Sequence, residues 1–345
     1  MPTIDIRKLS AEQLKNAMVT LGEKPFRAKQ VHEWLWKRSA MSFEEMTNLS
    51  KELRTKLESE FMIRPMVEDI SQKSKDGTIK IRYQLHDGNM IEGVLIPVEG
   101  RVTACVSSQV GCSLSCKFCA TGFMGRKRNL DPAEIYDQIV LLNRRSMEAY
   151  DMPLSNVVFM GMGEPLLNYA NVMQGIDYVI SPDGLNMSAK RITVSTAGIA
   201  KMIHKMGDDG VRFNLALSLH AANDTKRNII MAINETNNLQ ALVVALNYFY
   251  EKTGGRITFE YILFDKFNDS RTDAEELVKL CRKVPGAKVN IIEYNNVDQV
   301  PYTKTGETRR DEFIHYLESN DVVANVRLSR GKDIDAACGQ LANKA

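Results

Sequence analysis

The chain has 345 residues, of which 44% are hydrophobic and 26% are charged, and its formal net charge is +2. These values exclude a disordered or fibrous chain and predict a globular protein with one large domain and a smaller one. No run approaches the roughly 18 apolar residues of a membrane span, and the charged start lacks a signal peptide. Six cysteines without a regular framework, with 17 methionines, favour a reducing cytoplasm.

Residues 1–65 predict a helical accessory domain. Apolar residues recur at helical spacing in AEQLKNAMVTLG and FRAKQVHEWLWKR, and no strand pattern is present. The second stretch interleaves cations with aromatic residues, namely Arg27, Lys29, Lys37 and Arg38 with Phe26, Trp34 and Trp36. Such a surface suits contact with an RNA backbone and base stacking, although an amphipathic helix also buries its aromatic side chains. A further basic run at 126–128 favours a polyanionic partner.

Residues 66–98 predict a β-hairpin connector. IKIRYQL and NMIEGVLIPV flank His86-Asp87-Gly88, and Asp-Gly between two apolar runs is a hairpin signal.

Residues 99–345 predict an α/β domain. Short β-rich runs alternate with helical stretches, and Asp131-Pro132-Ala133-Glu134 combines an N-cap, a first-turn proline and a capping-box acid. The β-rich runs are TACVS (103–107), NVVFM (156–160), RITVS (191–195), NLALSL (214–219), ITFEYIL (257–263), VNIIEY (289–294) and ANVRLS (324–329). Alternating strands and helices predict a parallel sheet with right-handed crossovers, and seven strands predict a partial (β/α) barrel.

The loop after the first of these runs carries Cys112, Cys116 and Cys119 in C-x3-C-x2-C spacing. Three thiolates on a four-iron cluster leave one iron open, whereas four would make an electron carrier. The spacing resembles the signature of radical S-adenosylmethionine (radical SAM) enzymes, in which the open iron chelates S-adenosylmethionine. The alternatives are a zinc site, which usually takes four ligands and would need a second Cys or His pair, or three buried thiols.

Small and polar residues follow the other strands at the edge where barrel enzymes place their chemistry. Gly161-Met162-Gly163-Glu164-Pro165 follows the second run, and a carboxylate with exposed carbonyls can accept hydrogen bonds from an ammonium group. Ser195, Ser218, Leu219, His220 and Asn295 end later runs. Each has an ordinary structural alternative: glycines in a turn, satisfied buried hydroxyls, a hydrogen-bonded histidine, or an asparagine capping its own turn.

Taken together, the motifs resemble the bacterial adenine-C2 RNA methyltransferases, a radical SAM family, from about residue 25 to the C-terminus. They are CVSSQVGCSLSCKFCATG, GMGEPLLN, ITVSTAGI, LALSLHA, VNIIEYN and IDAACGQL. A sister family methylates adenine C8 and confers resistance to ribosome-targeting antibiotics. Pro165 and the Leu-Leu-Asn after it favour the C2 family over that sister.

The resemblance implies roles for particular residues. Cys338 would accept a methyl group, Cys105 would resolve a protein–RNA adduct by forming a disulfide, and Glu92 would accept a proton. It also implies S-adenosylmethionine contacts at Gly163, Glu164, Ser195, Ser218, Leu219, His220 and Asn295, and cluster ligands at Cys112, Cys116 and Cys119. The structural alternatives are a small buried residue at 338, a core strand residue at 105 and an ordinary exposed carboxylate at 92. Cys281 lies on the apolar face of a helix and is expected in the core.

The resemblance further implies one [4Fe–4S] cluster per chain and two S-adenosylmethionine molecules per turnover. The partners would be 23S ribosomal RNA, tRNA and a low-potential electron donor such as flavodoxin or ferredoxin, with no membrane partner. A rim reserved for a large RNA favours a monomer. Two other function classes remain open at this point: a radical SAM enzyme acting on a non-RNA substrate, and a non-catalytic iron–sulfur or zinc module that binds RNA.

Overall fold

The computed structural model describes residues 4–298 and 300–344. The amino-terminal part is mainly helical, as expected, and its helices begin at capping residues such as Ser10, which shares a capping box with Gln13. Its elements are β1 (Ile4–Asp5), α1 (Ala11–Thr20), α2 (Arg27–Trp36), α3 (Lys51–Glu60) and β2 (Phe61–Met62). The expectation of no strand here is wrong, because β1 and β2 pair in parallel through Ile4 and Phe61. Residues this far apart in sequence leave no local pattern.

The rest of the chain is organised around one large sheet. Its strands are β3 (Val67–Lys73), β4 (Ile79–Gln84), β5 (Met90–Val98), β6 (Arg101–Cys105), β9 (Asn156–Phe159), β10 (Ile192–Thr196), β11 (Asn214–Ser218), β12 (Ile257–Leu263), β13 (Lys288–Glu293) and β14 (Ala324–Arg327). The order across the sheet is β14-β13-β12-β11-β10-β9-β6-β5-β4-β3. From β6 to β14 every neighbouring pair is parallel, which confirms the partial (β/α) barrel.

The hairpin around Asp87-Gly88 forms as expected, and Gln84 pairs with Met90 across it. However, β3 adds a further antiparallel strand, and β5 pairs with β6. The three strands β3–β5, called here the antiparallel extension, therefore continue the barrel sheet. The division of the chain at residues 65 and 98 remains a prediction.

Helices of the barrel pack against the sheet, and the capping box and first-turn proline expected at Asp131–Glu134 begin the longest of them. A two-stranded pair and a short helix belong to the cysteine loop. These elements are β7 (Gln109–Val110), α4 (Ala120–Phe123), β8 (Arg128–Asn129), α5 (Pro132–Tyr150), α6 (Tyr169–Ile180), α7 (Ala200–Asp208), α8 (Asp224–Ile230), α9 (Leu239–Thr253), α10 (Arg271–Cys281) and α11 (Glu307–Glu318). Cys281 is buried in the core, as expected.

The amino-terminal part of the chain packs against α5 and α6. Trp36 is only 3% exposed and its ring stacks on Tyr178 with 3.6 Å between centroids. Arg7 forms a buried ion pair with Asp137 at 2.8 Å. Trp36 is therefore a packing residue, while Phe26 remains more than half exposed. Within residues 4–298 and 300–344, no helix has the length and apolar character needed to cross a membrane.

Candidate active site

The three cysteines of the motif line one small cavity of about 150 Å³ at the carboxyl ends of the strands, called here the cysteine cavity. Its wall is built where the loop after β6 meets the loop after β9. Ser108 N–H donates to the Met162 carbonyl at 2.8 Å, and Glu164 N–H donates to Gln109 Oε1 at 2.9 Å. The two loops that carry the two most specific motifs are thus joined directly.

The cysteine arrangement fits a cluster better than a single ion. Among the described residues, no group of three or more His, Cys, Asp or Glu side chains converges on one metal position. Tetrahedral zinc would require four ligands within about 2.3 Å of one point. Cys112, Cys116 and Cys119 nevertheless line one cavity. Burial raises the pKa of all three thiols, and charge repulsion from Cys119 raises the pKa of Cys112 and Cys116 further. Thiols that share a cavity without converging suit separate irons of one cluster.

Glu164 is only 3% exposed and lines the cysteine cavity. Burial raises the pKa of its carboxyl, while hydrogen bonds from the Ala197 N–H (2.7 Å) and the Leu166 N–H (3.0 Å) stabilise the charged form. Gly163 has φ +95°, and a Cβ there would lie 2.5 Å from the Gln109 Cβ. The glycine is therefore required by close backbone packing, which was the structural alternative for this motif.

The structure brings Ser195, Ser218 and His220 to the same cavity. His220 Nδ1 accepts a hydrogen bond from the Ile262 N–H at 3.1 Å, and burial lowers the pKa of the imidazole to about 3. The ring is therefore neutral and carries its proton on Nε2. Two other expected contacts do not line this cavity. Leu219 is fully buried in the core, and Asn295 donates instead to the Cys338 carbonyl at 3.3 Å.

A second cavity of about 740 Å³ fills the interior of the partial barrel, and we call it the barrel cavity. Cys338 and Cys119 line both cavities, whereas Cys105 lines only the barrel cavity. The Cys105 thiol is 7% exposed and its pKa is raised to about 12, mainly by burial and then by the nearby Cys338. Two cysteines separated by most of the chain are therefore neighbours.

Arg327 is a site residue that the sequence reasoning missed. It lines both cavities, and its Nη1 lies 3.5 Å from Glu260 Oε2. The negative charge of a Cys338 thiolate, followed by that of Glu260, raises the pKa of its guanidinium, and Arg327 in turn lowers the pKa of Cys105. The sequence feature that could have indicated it is an arginine at an inward-facing position of the strand-like run ANVRLS.

Glu92 is not among the lining residues of either cavity. Its side chain is fully buried, and its Oε2 accepts the backbone N–H groups of Ala342 (2.9 Å) and Asn343 (3.0 Å). Lys80 Nζ lies 3.4 Å from its Oε1. The alternative that Glu92 is an ordinary exposed carboxylate is therefore wrong, because the C-terminal residues cover this face of β5.

The parallel partial barrel with a three-cysteine loop at its carboxyl rim defines a radical SAM enzyme. Residues 106–281 match the model of the Radical SAM superfamily, and residues 4–63 match that of the ribosomal RNA large subunit methyltransferase N-terminal domain. A radical SAM methyltransferase structure from Sphaerobacter thermophilus is similar over 99% of this chain and 100% of its own, with a TM-score of 0.93 and 38% identity.

Relatives of similar sequence narrow this class of enzyme to one family. A probable dual-specificity RNA methyltransferase RlmN from Cytophaga hutchinsonii is 60% identical over 98% of this chain and 93% of its own length. A dual-specificity RNA methyltransferase RlmN 2 from Myxococcus xanthus is 46% identical over 99% of this chain and 91% of its own. The chain belongs to the RlmN family and is a radical SAM RNA methyltransferase. This family implies a [4Fe–4S] cluster and S-adenosylmethionine, and excludes the non-catalytic alternative.

Proposed function

We propose that this enzyme methylates C2 of adenosine in 23S ribosomal RNA, at the peptidyl transferase centre, and in tRNA, next to the anticodon. The methyl group would travel through S-methylcysteine at Cys338. The observation that carries this proposal is the position of Cys338, which lines both the cysteine cavity and the barrel cavity. A residue at that junction can receive a methyl group on one side and deliver it on the other.

We assign the cluster to Cys112, Cys116 and Cys119, with S-adenosylmethionine at the remaining iron. Gly163, Glu164, Ser195, Ser218 and His220 line the same cavity and would hold that molecule. A bound cluster supplies the electron that cleaves S-adenosylmethionine to a 5′-deoxyadenosyl radical. The neutral His220 ring can donate through Nε2, and the Glu164 carboxylate retains lone pairs for an ammonium group.

Adenine C2 is neither nucleophilic nor acidic, so direct methyl transfer from a sulfonium to this carbon fails. Cys338 sulfur would instead displace the methyl group from a first S-adenosylmethionine, losing its thiol proton and releasing S-adenosylhomocysteine. Hydrogen abstraction from the S-methyl group then yields 5′-deoxyadenosine and a carbon radical, which adds to C2. The adduct would then give up one electron to the cofactor, and Glu92 would accept the C2 proton, before the adduct is resolved.

Resolution of that adduct falls to Cys105. Its thiolate would attack the Cys338 sulfur, break the bond between that sulfur and the methylene carbon, and leave a disulfide. The released electron pair and a proton complete the methyl group on C2. Arg327 supports this step because its cation lies beside both cysteines and favours the thiolate of Cys105.

The barrel cavity suits the target nucleotide. Barrel interiors are ordinarily filled by branched apolar side chains. Here polar side chains line the cavity along the strands, including Thr103, Asn156, Thr193, Asn214, Thr258 and Asn290. Arg256 and Lys288 lie at the amino-terminal end of this lining, and both side chains are exposed. We assign the polar groups to the adenosine, and these cations to neighbouring phosphates.

The amino-terminal helices would contribute RNA contacts through the exposed Phe26 and through Arg38, whose guanidinium lies 4.5 Å from the Trp34 ring centroid. We further propose a monomer that receives electrons from a flavodoxin or ferredoxin, and two S-adenosylmethionine molecules per turnover.

The proposal is tested by anaerobic reconstitution followed by S-adenosylmethionine, reductant and unmodified 23S ribosomal RNA or tRNA. We expect 2-methyladenosine in the nucleoside digest of both RNAs, together with 5′-deoxyadenosine. Finding 8-methyladenosine would assign the chemistry of the sister family instead. Methylation of a single RNA type would limit the substrate range.

A further inference from the structure

We propose that the buried guanidinium of Arg227 supplies a fixed positive charge beside the iron–sulfur cluster and thereby makes the cluster easier to reduce. Arg227 is a positioning residue in this scheme, because it acts on the reaction through the cluster and not by touching a substrate. The inference rests on the part of the proposed function that assigns the cluster to Cys112, Cys116 and Cys119. Arg227 lies outside the motifs that carry the family resemblance.

The first support is the burial of this side chain and the nature of its partners. Arg227 lies on α8 and is 0% exposed. Its N–H groups donate to four oxygens, namely the carbonyls of Leu219 (3.1 Å), Ser218 (3.1 Å) and Ala197 (2.6 Å) and Oδ1 of Asn234 (2.6 Å). All four acceptors are neutral. These hydrogen bonds therefore stabilise the guanidinium without cancelling its charge.

The second support is that this charge persists at neutral pH. Burial lowers the pKa of the Arg227 guanidinium to about 10, so the group is still protonated at pH 7. Asp224 is connected to it through Asn234, whose Nδ2 donates to Asp224 Oδ1 at 2.8 Å. Asp224 is exposed, so solvent screens its charge. A buried cation held by neutral acceptors is costly, and an anionic cofactor in the adjacent cavity would compensate for that cost.

The third support is the position of Arg227 next to the cysteine cavity. Two of its acceptors, Ala197 and Ser218, belong to residues that line this cavity. Met231 follows α8 and also lines the cavity, and its N–H donates to the Arg227 carbonyl at 2.8 Å. The arginine is therefore held against the cavity wall by both its side chain and its backbone.

The end of α8 also contacts the cysteine loop itself. The Ile230 carbonyl accepts a hydrogen bond from the Lys117 N–H at 3.0 Å, and Lys117 directly follows the assigned ligand Cys116. Burial, the largest effect, raises the pKa of Cys116, whereas the charge of Arg227 lowers it. The guanidinium therefore acts electrostatically on the place where the cluster would be bound.

A fixed cation shifts the reduction potential of a nearby cluster in a defined direction. A [4Fe–4S] cluster with three thiolate ligands is an anion, and one-electron reduction increases its negative charge. Net charge is among the properties that set the potential of such a cluster. Charges interact more strongly in the protein interior than in water, because the effective dielectric constant is lower. Arg227 therefore favours the reduced cluster, the form that can pass an electron to S-adenosylmethionine.

The test measures the reduction potential of the reconstituted holoenzyme by redox titration followed with electron paramagnetic resonance, without S-adenosylmethionine or RNA. Arg227→Gln removes the charge and keeps an amide that can donate to a carbonyl. We expect the equilibrium constant for one-electron reduction to fall about 10- to 100-fold. A tenfold fall corresponds to a potential that is lower by about 59 mV.

A second variant keeps the arginine in place and answers the case in which Arg227→Gln fails to fold. Asp224→Asn/Asn234→Asp moves one negative charge from an exposed position to the guanidinium, while the net charge of the chain stays the same. Asn228, whose Oδ1 accepts from Asn234 at 2.6 Å, can rotate its amide to donate to the carboxylate at position 234. Reduction should become about three- to tenfold less favourable. Asp224→Asn alone is the matched control and should not lower the potential.

A purely structural arginine predicts a different pattern. Arg227→Gln would then lower stability or cluster content, but the cluster that it still bound would keep the wild-type potential, as would that of the double variant. Arg7→Gln removes a buried arginine that is paired with Asp5 and Asp137, and it should leave the potential unchanged. A wild-type potential in either Arg227→Gln or the double variant would overturn the inference and leave the proposed function intact. A wild-type protein without a three-cysteine cluster would refute the proposed function itself.

Discussion

The cysteine cavity and the barrel cavity differ in size, in lining and in the part of the sequence that builds them. The cysteine cavity, about 150 Å³, is formed by loops at the carboxyl ends of the strands, and compact motifs supply its residues. The barrel cavity, about 740 Å³, is lined by side chains taken from every parallel strand. The cysteine cavity is therefore built from contiguous motifs, whereas the barrel cavity depends on inward-facing positions of the whole barrel.

Removing the proposed methyl carrier, Cys338, which lines both cavities, should have the largest effect. Cys338→Ala leaves no methyl acceptor, so we expect RNA methylation to fall by more than about 1000-fold. Mass spectrometry of the variant after treatment with S-adenosylmethionine and reductant should show no methylated cysteine. Cys281→Ser, which alters a buried cysteine outside both cavities, should keep normal turnover and cluster content. A methylated cysteine elsewhere in Cys338→Ala would contradict the scheme.

A change confined to the barrel cavity should act later in the reaction. Cys105→Ala should still methylate Cys338 and still capture RNA, but it should stall with about one RNA covalently attached per protein, because the attacking thiolate is absent. Denaturing gels would detect the slowly migrating adduct. A fully active variant would remove Cys105 from the mechanism and would weaken the functional distinction between the cavities.

The resolving step should accelerate with pH. Burial raises the pKa of Cys105 to about 12, so its thiol is protonated at neutral pH and its thiolate fraction grows about tenfold per pH unit below that value. We expect decay of the protein–RNA adduct to follow this slope between pH 7 and 9, measured by quenched-flow gels.

Arg327→Met should slow adduct decay about three- to tenfold at each pH, because loss of the cation raises the Cys105 pKa further. Arg212→Gln, an exposed arginine that does not line the barrel cavity, is the control. A decay rate independent of pH would show that another step limits resolution.

The smallest effect is expected at the far end of the barrel cavity. Arg256→Gln/Lys288→Gln removes two cations at this end, so the KM for RNA should rise about two- to threefold and the salt dependence of binding should weaken. Cleavage of S-adenosylmethionine without RNA should be unchanged. Arg282→Gln/Lys283→Gln, exposed cations outside the cavity lining, should leave KM unaffected. Equal effects of both pairs would indicate nonspecific electrostatics.

Local sequence patterns predicted much of the fold. The parallel strands and the helix beginning at Asp131–Glu134 were predictable because hydrophobic periodicity and capping act over a few residues. The strand β3 and the β1–β2 pair were missed because short or polar strands depend on distant partners. Trp36 is another example, because the sequence pattern allowed its ring either to stack on RNA or to be buried. Its stacking on Tyr178, which is distant in sequence, shows that it is buried.

The residues of the candidate site also divide into those that local sequence patterns predicted and those that they did not. The spacing of Cys112, Cys116 and Cys119 indicated a shared site directly, because a single loop holds all three. Leu219, by contrast, directs its side chain into the core although the motif around it lies at the rim. The role of Arg327 could not be predicted, because the function of an arginine in a strand depends on the side chains that face it in the folded protein.

The sequence by itself determined the cysteine loop, the order of the parallel strands with their helices, and the family of the chain, because each depends on neighbouring residues. The tertiary structure alone decided that Glu92 meets the backbone of Ala342, 250 positions away, and that the polar positions of the strands enclose one chamber. Contacts of this range depend on how the sheet curves and where the chain returns. No local pattern encodes that path, because many side chains far apart in the sequence determine it jointly.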